Sequence, residues 1–155
     1  MLTSVFVSGL GAAPISTDEP GRRHPILVIG GTGHVGAALC NFLLDRGHPV
    51  TAASRTDSPV FESSAIGRTR LDVTEPTDTV PLPPLATAVI CPWVDNSSGA
   101  EPYWIGHLLE RLAGAGTTSV VYFSTMWVYG APTDCLLTES TPTAPTNPYS
   151  VAHLH

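Results

Sequence analysis

The feature that most constrains this chain is a set of glycines between an apolar run and an amphipathic one. Ile26–Ile29 is a short, continuous apolar run, which is typical of a strand buried on both faces of a sheet. The sequence Gly30-Gly-Thr-Gly-His-Val-Gly36 follows it at once. Helical periodicity then runs from Val35 to Arg46, and Gly47 stands where many helices end. The segment therefore predicts a strand, a tight turn and a helix in close succession.

Strand-like and helix-like patterns go on alternating along the chain. Further strands are predicted at Val50–Ala53, Arg70–Val73, Ala86–Cys91 and Ser119–Ser124, and a further helix at Tyr103–Ala113. The first helix is predicted to bury a face made of Val35, Leu39, Phe42 and Leu43. Alternating elements indicate a parallel sheet with right-handed crossovers. The predicted fold class is α/β, a doubly wound parallel sheet (Rossmann fold) of about five strands. Residues 1–24 are predicted to be a flexible leader and residues 25–155 the folded domain.

Composition narrows the classes of function. The chain has 155 residues and a formal net charge of −6, which suits one domain and argues against nonspecific nucleic-acid binding. Its seven basic residues are all arginine, so the chain has no lysine. Cys40, Cys91 and Cys135 show neither metal-ligand spacing nor a disulfide framework, which favours a reducing, cytoplasmic location and predicts no metal site. No apolar run of the sequence is long enough to span a bilayer.

The glycine turn has the chemistry of an anion site. Gly30 permits the tight turn, Gly33 lets a diphosphate approach the backbone, and Gly36 lets the helix pack close to the strand. The helix N-terminus adds unpaired N–H groups and the positive end of a dipole. We therefore predict dinucleotide binding here, against the alternative of a glycine-rich turn with no ligand. The predicted contacts are Gly30, Thr32, Gly33, His34, Val35 and Gly36.

Two residues at the end of the second predicted strand bear on which dinucleotide is bound. Sites that prefer NAD usually place Asp or Glu there to bind the ribose 2′-hydroxyl. Ser54 and Arg55 occupy this place, and the next carboxylate is Asp57. A guanidinium can pair with the 2′-phosphate of NADP, and a serine hydroxyl can donate to it. NADP is therefore predicted over NAD, with a solvated surface charge as the alternative role for Arg55.

A second pattern lies near the end of the chain. Its parts, in order, are the strand Val120–Phe123, Ser124, Thr125, Val128-Tyr-Gly130, Glu139, scattered prolines and Asn147-Pro-Tyr-Ser-Val-Ala-His153. Together with the glycine turn, this order resembles the extended short-chain dehydrogenases/reductases, the NAD(P)-dependent epimerase/dehydratase family. The resemblance covers Pro25 to His155. It implies an oxidoreductase-type domain that moves hydride to or from a carbonyl or secondary alcohol of a small-molecule substrate.

The resemblance assigns roles by position. Thr125 corresponds to the residue that hydrogen-bonds the substrate oxygen, and Tyr149 to the general acid or base that handles the proton. Asp72 corresponds to the residue that reaches the adenine amino group, with a turn-forming aspartate as the alternative. The residues implied to line the cofactor site beyond the glycine turn are Ser54, Arg55, Asp72, Val73, Cys91, Pro92, Trp93 and Ser124.

One departure from the family pattern concerns turnover. Family members carry a lysine four residues after the tyrosine, where its charge lowers the pKa of the tyrosine and its amine holds the nicotinamide ribose. In this chain His153 stands at that place, and an ordinary imidazole is mostly neutral at pH 7. Two alternatives to an active enzyme therefore stay open: a non-catalytic dinucleotide-binding module, and an incomplete gene product.

Family members also continue beyond the tyrosine with a long helix, a sixth strand and a substrate-binding region. The chain is therefore predicted to be C-terminally incomplete and truncated before that region. Tyr149 is then expected on a helix too short to be stable alone. The fifth strand, which includes Val120–Phe123, is expected to be an exposed apolar edge, and such an edge favours self-association. No nucleic-acid or membrane partner is predicted.

Overall fold

The computed structural model describes residues 5–9, 23–56, 61, 63–75, 81–82, 87–91, 101–130 and 136–154, with the backbone alone for 5–9 and 101–103. The strands are β1 (Val5–Gly9), β2 (Ile26–Ile29), β3 (Val50–Ser54), β4 (Gly67–Arg70), β5 (Thr87–Ile90) and β6 (Ser119–Phe123). The helices are α1 (His34–Asp45), α2 (Glu101–Gly114) and α3 (Pro148–Ala152), with a 3₁₀ turn at Met126–Tyr129. Over these described ranges, none of the helices has both the length and the apolar character that crossing a bilayer requires.

The strands form one sheet in the order β1-β6-β5-β2-β3-β4. Neighbouring strands from β6 to β4 are all parallel. The chain therefore winds outward from β2 through β3 to β4, then returns to β5 and winds outward on the other side. In sheets of this kind, ligands bind beyond the carboxyl ends of the strands where the winding reverses, here between β2 and β5. The predicted α/β, doubly wound fold with five parallel strands is confirmed.

The central strand β2 is apolar on both faces because a helix covers each face of the sheet. Leu27 and Ile29 belong to one buried cluster, together with residues of α2. Ile26 and Val28 belong to a second buried cluster, together with Cys40 of α1. Successive strand residues point to opposite faces, so a continuous apolar run has to be covered on both sides.

Helix α1 ends as the sequence predicts. Gly47 has a φ of 77° and therefore takes the left-handed conformation that glycine tolerates best. Its N–H donates to the Leu44 carbonyl at 2.8 Å, and the His48 N–H donates to the Leu43 carbonyl at 3.1 Å. This pair of bonds is the Schellman motif, which satisfies carbonyl groups that the helix end would leave unpaired.

The predicted buried face of α1 is wrong by about one residue. Val35 and Phe42 are 48% and 50% exposed, whereas Gly36 and Cys40 are buried. The two leucines of the predicted face do pack partly against the sheet. The cause is the close approach at Gly36, which turns the line through Gly36 and Cys40 toward the strands. Apolar periodicity alone gives no weight to a glycine or a cysteine on that line.

The third parallel strand lies three residues before its predicted position. Gly67–Arg70 pairs with β3, and the register ends at Ser54 opposite Arg70. The Leu71 N–H still donates to the Ser54 carbonyl at 2.9 Å, but the chain turns at once after that. Leu71 and Val73 are apolar because they pack against the core from this turn, rather than from a strand.

The expected exposed edge at β6 is wrong as well. Val5–Gly9 pairs antiparallel with β6, from Val5 opposite Phe123 to Gly9 opposite Ser119. These five residues are therefore a strand rather than part of a flexible leader, and residues 1–4 and 10–22 lie outside the described residues. A strand edge presents unpaired N–H and C=O groups, and β1 supplies partners for them. Self-association through this edge would first have to displace β1.

Candidate functional site

The glycine turn joins β2 to α1 at the reversal point of the sheet, and two of its glycines are fixed by close backbone contacts. Gly30 has a φ of 77°, and a Cβ there would collide with the carbonyl oxygen of Cys91. A Cβ on Gly36 would collide with the carbonyl oxygen of Gly30 and lie 2.8 Å from the Gly31 Cα. Both contacts bring α1 down onto the ends of β2 and β5. The roles predicted for Gly30 and Gly36 agree with these contacts.

Gly31 has a packing role that was not predicted from the glycine motif. A Cβ on it would lie 2.7 Å from the Ala52 Cβ and 2.8 Å from the Val28 carbonyl oxygen. The turn therefore crosses over β3 with no space for a side chain. The signal in the sequence was the glycine itself, combined with a small residue at the middle of the next strand.

Gly33 differs from the other glycines of the turn because it faces outward. It is exposed, and a Cβ built on it would meet only the Gly30 carbonyl oxygen within 4 Å, at 3.2 Å. Gly33 is the N-cap of α1, and no side chain caps this helix. The N–H groups of His34, Val35 and Gly36 in the first turn then have no acceptor within the helix. These N–H groups stand at the positive end of the helix, an arrangement that suits a phosphate group.

Cys91, which follows β5 at the reversal point of the sheet, is less reactive than an ordinary thiol. The Cys91 N–H donates to the Ile29 carbonyl at 2.9 Å, which ties the two strand ends together. Burial, and to a smaller extent the neighbouring Cys40, raises the pKa of the Cys91 thiol to about 12. The thiol therefore stays protonated, and Cys91 packs as a small apolar group against the buried cluster that includes Cys40. Pro92 and Trp93, which were predicted to line the cofactor site, lie outside the described residues.

At the end of β3, the two residues predicted to choose the dinucleotide behave differently. The Ser54 hydroxyl donates to the Thr56 carbonyl at 2.6 Å, so its proton is used within the turn. Arg55 is exposed next to it. A phosphate only accepts hydrogen bonds, so the Ser54 proton is not available to it, whereas the Arg55 guanidinium makes no hydrogen bond with any of the described residues.

Asp72 has the turn-forming role that the sequence left as an alternative. Its Oδ1 accepts from the N–H of Thr74 at 3.0 Å and from the Thr74 hydroxyl at 2.6 Å. This arrangement is an Asx turn, in which a carboxylate takes the place of a backbone acceptor. It places Asp72 just after β4, the neighbour of β3, at the same edge of the sheet as the glycine turn.

The second predicted group of residues meets where β6 ends. Ser124 is buried, and its hydroxyl donates to the His153 carbonyl at 3.4 Å. The ring of Tyr149 meets the ring of His153 edge-on, with 4.5 Å between centroids. Thr125 caps the 3₁₀ turn, and its Oγ1 accepts from the Trp127 N–H at 3.3 Å. Ser124, Tyr149 and His153 are thus brought together, with Thr125 one residue along the chain.

Helix α3 is short, but it is stabilised by capping interactions that the prediction from its length did not include. Asn147 and Ser150 form a capping box, in which the Asn147 Oδ1 accepts from the Ser150 N–H at 2.9 Å. Pro148 occupies the first turn, where its missing N–H costs nothing. These caps, and the contact of Ser124 with His153, hold Tyr149 in place on a single turn of helix.

His153 is the most unusual residue of this group. Its side chain is 7% exposed, and its Nδ1 lies 3.1 Å from the Tyr122 hydroxyl oxygen. Its Nε2 is buried and has no hydrogen-bond partner among the described residues. Burial lowers the pKa of His153 from 6.5, so the ring is neutral at pH 7. The structure therefore agrees with the expectation that no cation stands at the position of the family's lysine.

Tyr122 is a member of this group that sequence reasoning missed, because it was assigned only to the apolar fifth strand. Burial, and then the neighbouring Tyr149, raises the pKa of Tyr122 to about 12, so its hydroxyl keeps its proton. The available signal was strand alternation. Tyr122 and Ser124 are two residues apart and therefore share a face.

A dinucleotide fits the described residues on two observations. The outward face of Gly33 and the first turn of α1 form a cradle for its diphosphate. At the second group, the orphaned Nε2 of His153 is a polar atom that a ligand could satisfy. A metal ion has no comparable place, since the described part of the chain holds no group of three or more His, Cys, Asp or Glu that could bind one.

Known proteins are similar to this chain in sequence and in fold. Residues 26–90 match the model of the NAD dependent epimerase/dehydratase family. UDP-glucose 4-epimerase of Streptomyces lividans is 30% identical over 149 residues, covering 83% of this chain and 44% of that protein. A shorter match, 43% identical over 51 residues, covers 33% of this chain and 16% of 2-alkyl-3-oxoalkanoate reductase from Stenotrophomonas maltophilia (strain K279a). A crystal structure of UDP-glucose-4-epimerase from Stenotrophomonas maltophila, with bound NAD and formylated UDP-arabinopyranose, has a TM-score of 0.75 at 21% identity, covering 85% of this chain and 46% of that one.

The chain spans less than half the length of the epimerases it matches, 44% of the curated relative and 46% of the solved structure. The structural likeness shows a shared fold. The family match runs from β2 to β5, so it includes the glycine turn and the reversal point of the sheet. In sequence and fold the chain is similar to the N-terminal part of proteins of the NAD dependent epimerase/dehydratase family, over residues 26–90 for the family model and over 83% of the chain for the curated relative.

Proposed function

We propose that this chain binds a nicotinamide dinucleotide as part of an epimerase/dehydratase-type oxidoreductase, with the diphosphate at the N-terminus of α1. The contrast within the glycine turn carries this proposal. Gly30 and Gly36 are locked against backbone, while Gly33 leaves its outer side open beside the unpaired N–H groups. A turn needed only for packing would have no reason to leave that side both open and uncapped.

The residues around β6 support a hydride-transfer function on a carbonyl or a secondary alcohol. A bound nicotinamide ring would supply or take up the hydride. The Thr125 Oγ1 accepts from the Trp127 N–H, so its own proton is available to donate to a substrate oxygen. Tyr149 would transfer the proton as general acid or base. Ser124 would hold the α3 end in place through the His153 carbonyl.

The substrate class follows from the relatives' names and is a proposal for this chain. One relative is named for UDP-glucose and another for a 2-alkyl-3-oxoalkanoate. Both names describe a secondary alcohol or the corresponding ketone, and a nucleotide sugar is the class shared with the epimerases. A cytoplasmic location and self-association likewise stay predictions, and β6 no longer provides a bare edge for the latter.

For the cofactor, we propose NADP over NAD on the basis of Arg55. It is exposed at the end of β3, where a 2′-phosphate would approach, and no carboxylate precedes it there. Ser54 supports neither choice, because its proton is used by Thr56. Solved relatives that are described with bound NAD make NAD the alternative to be tested.

Gly33→Asp tests the proposed phosphate site with little risk to the fold. Its φ of −72° and ψ of 169° suit an N-cap aspartate, which is among the preferred residues there. Its carboxylate would take the N–H groups and repel a diphosphate. We expect the affinity for NADPH and NADH, measured by fluorescence titration, to fall at least about tenfold, with an unchanged or slightly higher melting temperature.

Gly106→Asp is the matched control, because none of the described residues lies within 4 Å of a Cβ at Gly106 on α2. It adds the same charge away from the turn and should leave the affinity unchanged. Equal affinities in the parent chain and in Gly33→Asp would overturn the proposed site. So would the absence of binding in the parent chain.

A non-catalytic dinucleotide-binding module is the second candidate, favoured by the neutral, buried His153. Without a cation near Tyr149, the proton-transfer step loses the electrostatic help that the family's lysine provides. Turnover on a panel of ketones and nucleotide sugars, measured alongside binding, separates the two candidates. Binding without turnover supports the module, and turnover that appears in His153→Lys would show that the other residues of the site are competent.

A further inference from the structure

The hydrogen bond between Tyr122 and His153 fixes more than the position of a ring. Among the described residues, the Tyr122 hydroxyl has His153 Nδ1 as its hydrogen-bond partner. That hydroxyl keeps its proton, since burial raises the pKa of Tyr122 to about 12. If the tyrosine donates to Nδ1, its proton has an acceptor. If the imidazole donated instead, the tyrosine proton would have no acceptor among the described residues, and an unmade hydrogen bond at a partly buried group is costly.

Donation by Tyr122 determines the state of the imidazole. With Nδ1 as acceptor, the single ring proton of a neutral histidine must sit on Nε2. A doubly protonated ring is disfavoured twice, because Nδ1 could no longer accept from Tyr122 and because burial lowers the pKa of His153. The described side chains that face the ring are those of Tyr122 and Tyr149, while the Ser124 hydroxyl donates to the backbone carbonyl of His153.

The Nε2 atom is therefore a buried N–H donor that has no acceptor in the described part of the chain. Buried polar groups are nearly always paired, so an exception calls for an explanation. His153 caps the end of the helix that carries Tyr149, and its carbonyl accepts from the Ser124 hydroxyl, so this atom lies on a residue next to those proposed to hold the substrate and the nicotinamide.

We propose that Tyr122 is a positioning residue that holds His153 in its Nε2–H form, so that this atom donates a hydrogen bond to an oxygen of the bound dinucleotide. The proposal rests on the function proposed above. In this proposal, the neutral imidazole of His153 is an oriented hydrogen-bond donor in place of the charged amine of the family's lysine. Such a donor contributes to binding but gives no charge to Tyr149, so ligand binding and proton transfer become separable properties in this chain.

Nitrogen-15 NMR of histidine-labelled protein tests the first half of the proposal without any ligand. We expect His153 in the parent chain to show a protonated Nε2 and a bare Nδ1 at neutral pH. In Tyr122→Phe the two tautomers should mix. Tyr129→Phe, which removes a hydroxyl from the buried 3₁₀-turn tyrosine, is the matched control and should leave the spectrum of His153 unchanged.

Binding of NADPH and NADH tests the second half. Tyr122→Phe should weaken binding several-fold, and His153→Leu, which removes the donor, about tenfold. His153→Gln can place an amide N–H near the position of Nε2 and should retain most of the affinity. Melting temperatures of all variants identify any that fail to fold, and the glutamine variant keeps the test valid if the leucine variant is one of them.

The outcomes separate this inference from the proposed function. A single Nε2–H tautomer, with affinities in the order parent, His153→Gln, then His153→Leu, supports it. Unchanged affinity in both Tyr122→Phe and His153→Leu overturns the inference and leaves the proposed function standing. Failure of the parent chain to bind either dinucleotide overturns both.

Discussion

The glycine turn and the group around His153 are the two parts of the proposed ligand site, and different interactions hold each of them together. In the glycine turn, absent side chains set the geometry, since Gly30 and Gly36 are held by contacts that a single methyl group would break. Around His153, side chains hold one another, from Tyr122 through His153 to Ser124. The first part therefore depends on residues that nothing else can replace. The second is held by hydrogen bonds among several residues, with a histidine where the family pattern has a lysine.

The largest expected effect concerns packing at the turn. Gly36→Ala puts a methyl group against the Gly30 carbonyl oxygen and the Gly31 Cα, so it should lower the free energy of unfolding by about 1–3 kcal/mol. Gly106→Ala places the same methyl group in open space on α2 and should raise that free energy by up to about 1 kcal/mol. Urea unfolding of both variants measures this difference. Equal effects of the two substitutions would show that the turn is not closely packed.

A smaller effect is expected where side chains choose the dinucleotide. Arg55→Gln should weaken NADPH binding about tenfold and leave NADH binding within twofold, because it removes a charge that only the 2′-phosphate meets. Arg46→Gln, at the opposite end of α1, is the control for the loss of an exposed arginine. Titration of each variant with both dinucleotides gives the ratio of affinities. An equal loss for NADPH and NADH in Arg55→Gln would rule out a role in selecting NADP.

The smallest effect is the pH dependence of stability that His153 contributes. Its pKa in the folded chain is lowered from 6.5, so below that pH the unfolded chain takes up a proton that the folded chain resists. The stability that the neutral, buried ring of His153 contributes is fully present above pH 6.5, and it is lost as the pH falls toward the lower pKa of the folded chain. Melting temperatures at about pH 7.5 and about pH 5.5 should differ less for His153→Gln than for the parent. His107→Gln, which removes an exposed imidazole on α2, is the control, and an effect as large as that of His153→Gln would contradict a special role for the buried ring.

The sequence predicts the glycine turn better than it predicts the group around His153. Each element around the glycine turn was located to within about three residues, because backbone conformation and close packing leave marks in residue type. Tyr122 was not found, since a tyrosine in an apolar strand looks like core until its partner is known. The anchoring of Tyr149 by Asn147 and Ser150 was missed as well, although this pair is readable as a capping box.

Long-range pairing accounts for the remaining errors. The pairing of Val5–Gly9 with β6 joins residues more than a hundred positions apart, and no local pattern encodes it. The position of β4 depends on its register with β3, which placed Leu71 and Val73 in a turn. The buried face of α1 followed from a contact of Gly36 with Gly30, which apolar periodicity does not register.

Amide chemical shifts of the nitrogen-15-labelled chain during titration with NADPH test the central claim most directly. If the diphosphate lies on the N-terminus of α1, the largest saturable shifts will be those of the N–H groups from Thr32 to Gly36, and NADH will move the same signals. Saturable binding that leaves those five amides unmoved, or no binding of either dinucleotide, would contradict the account.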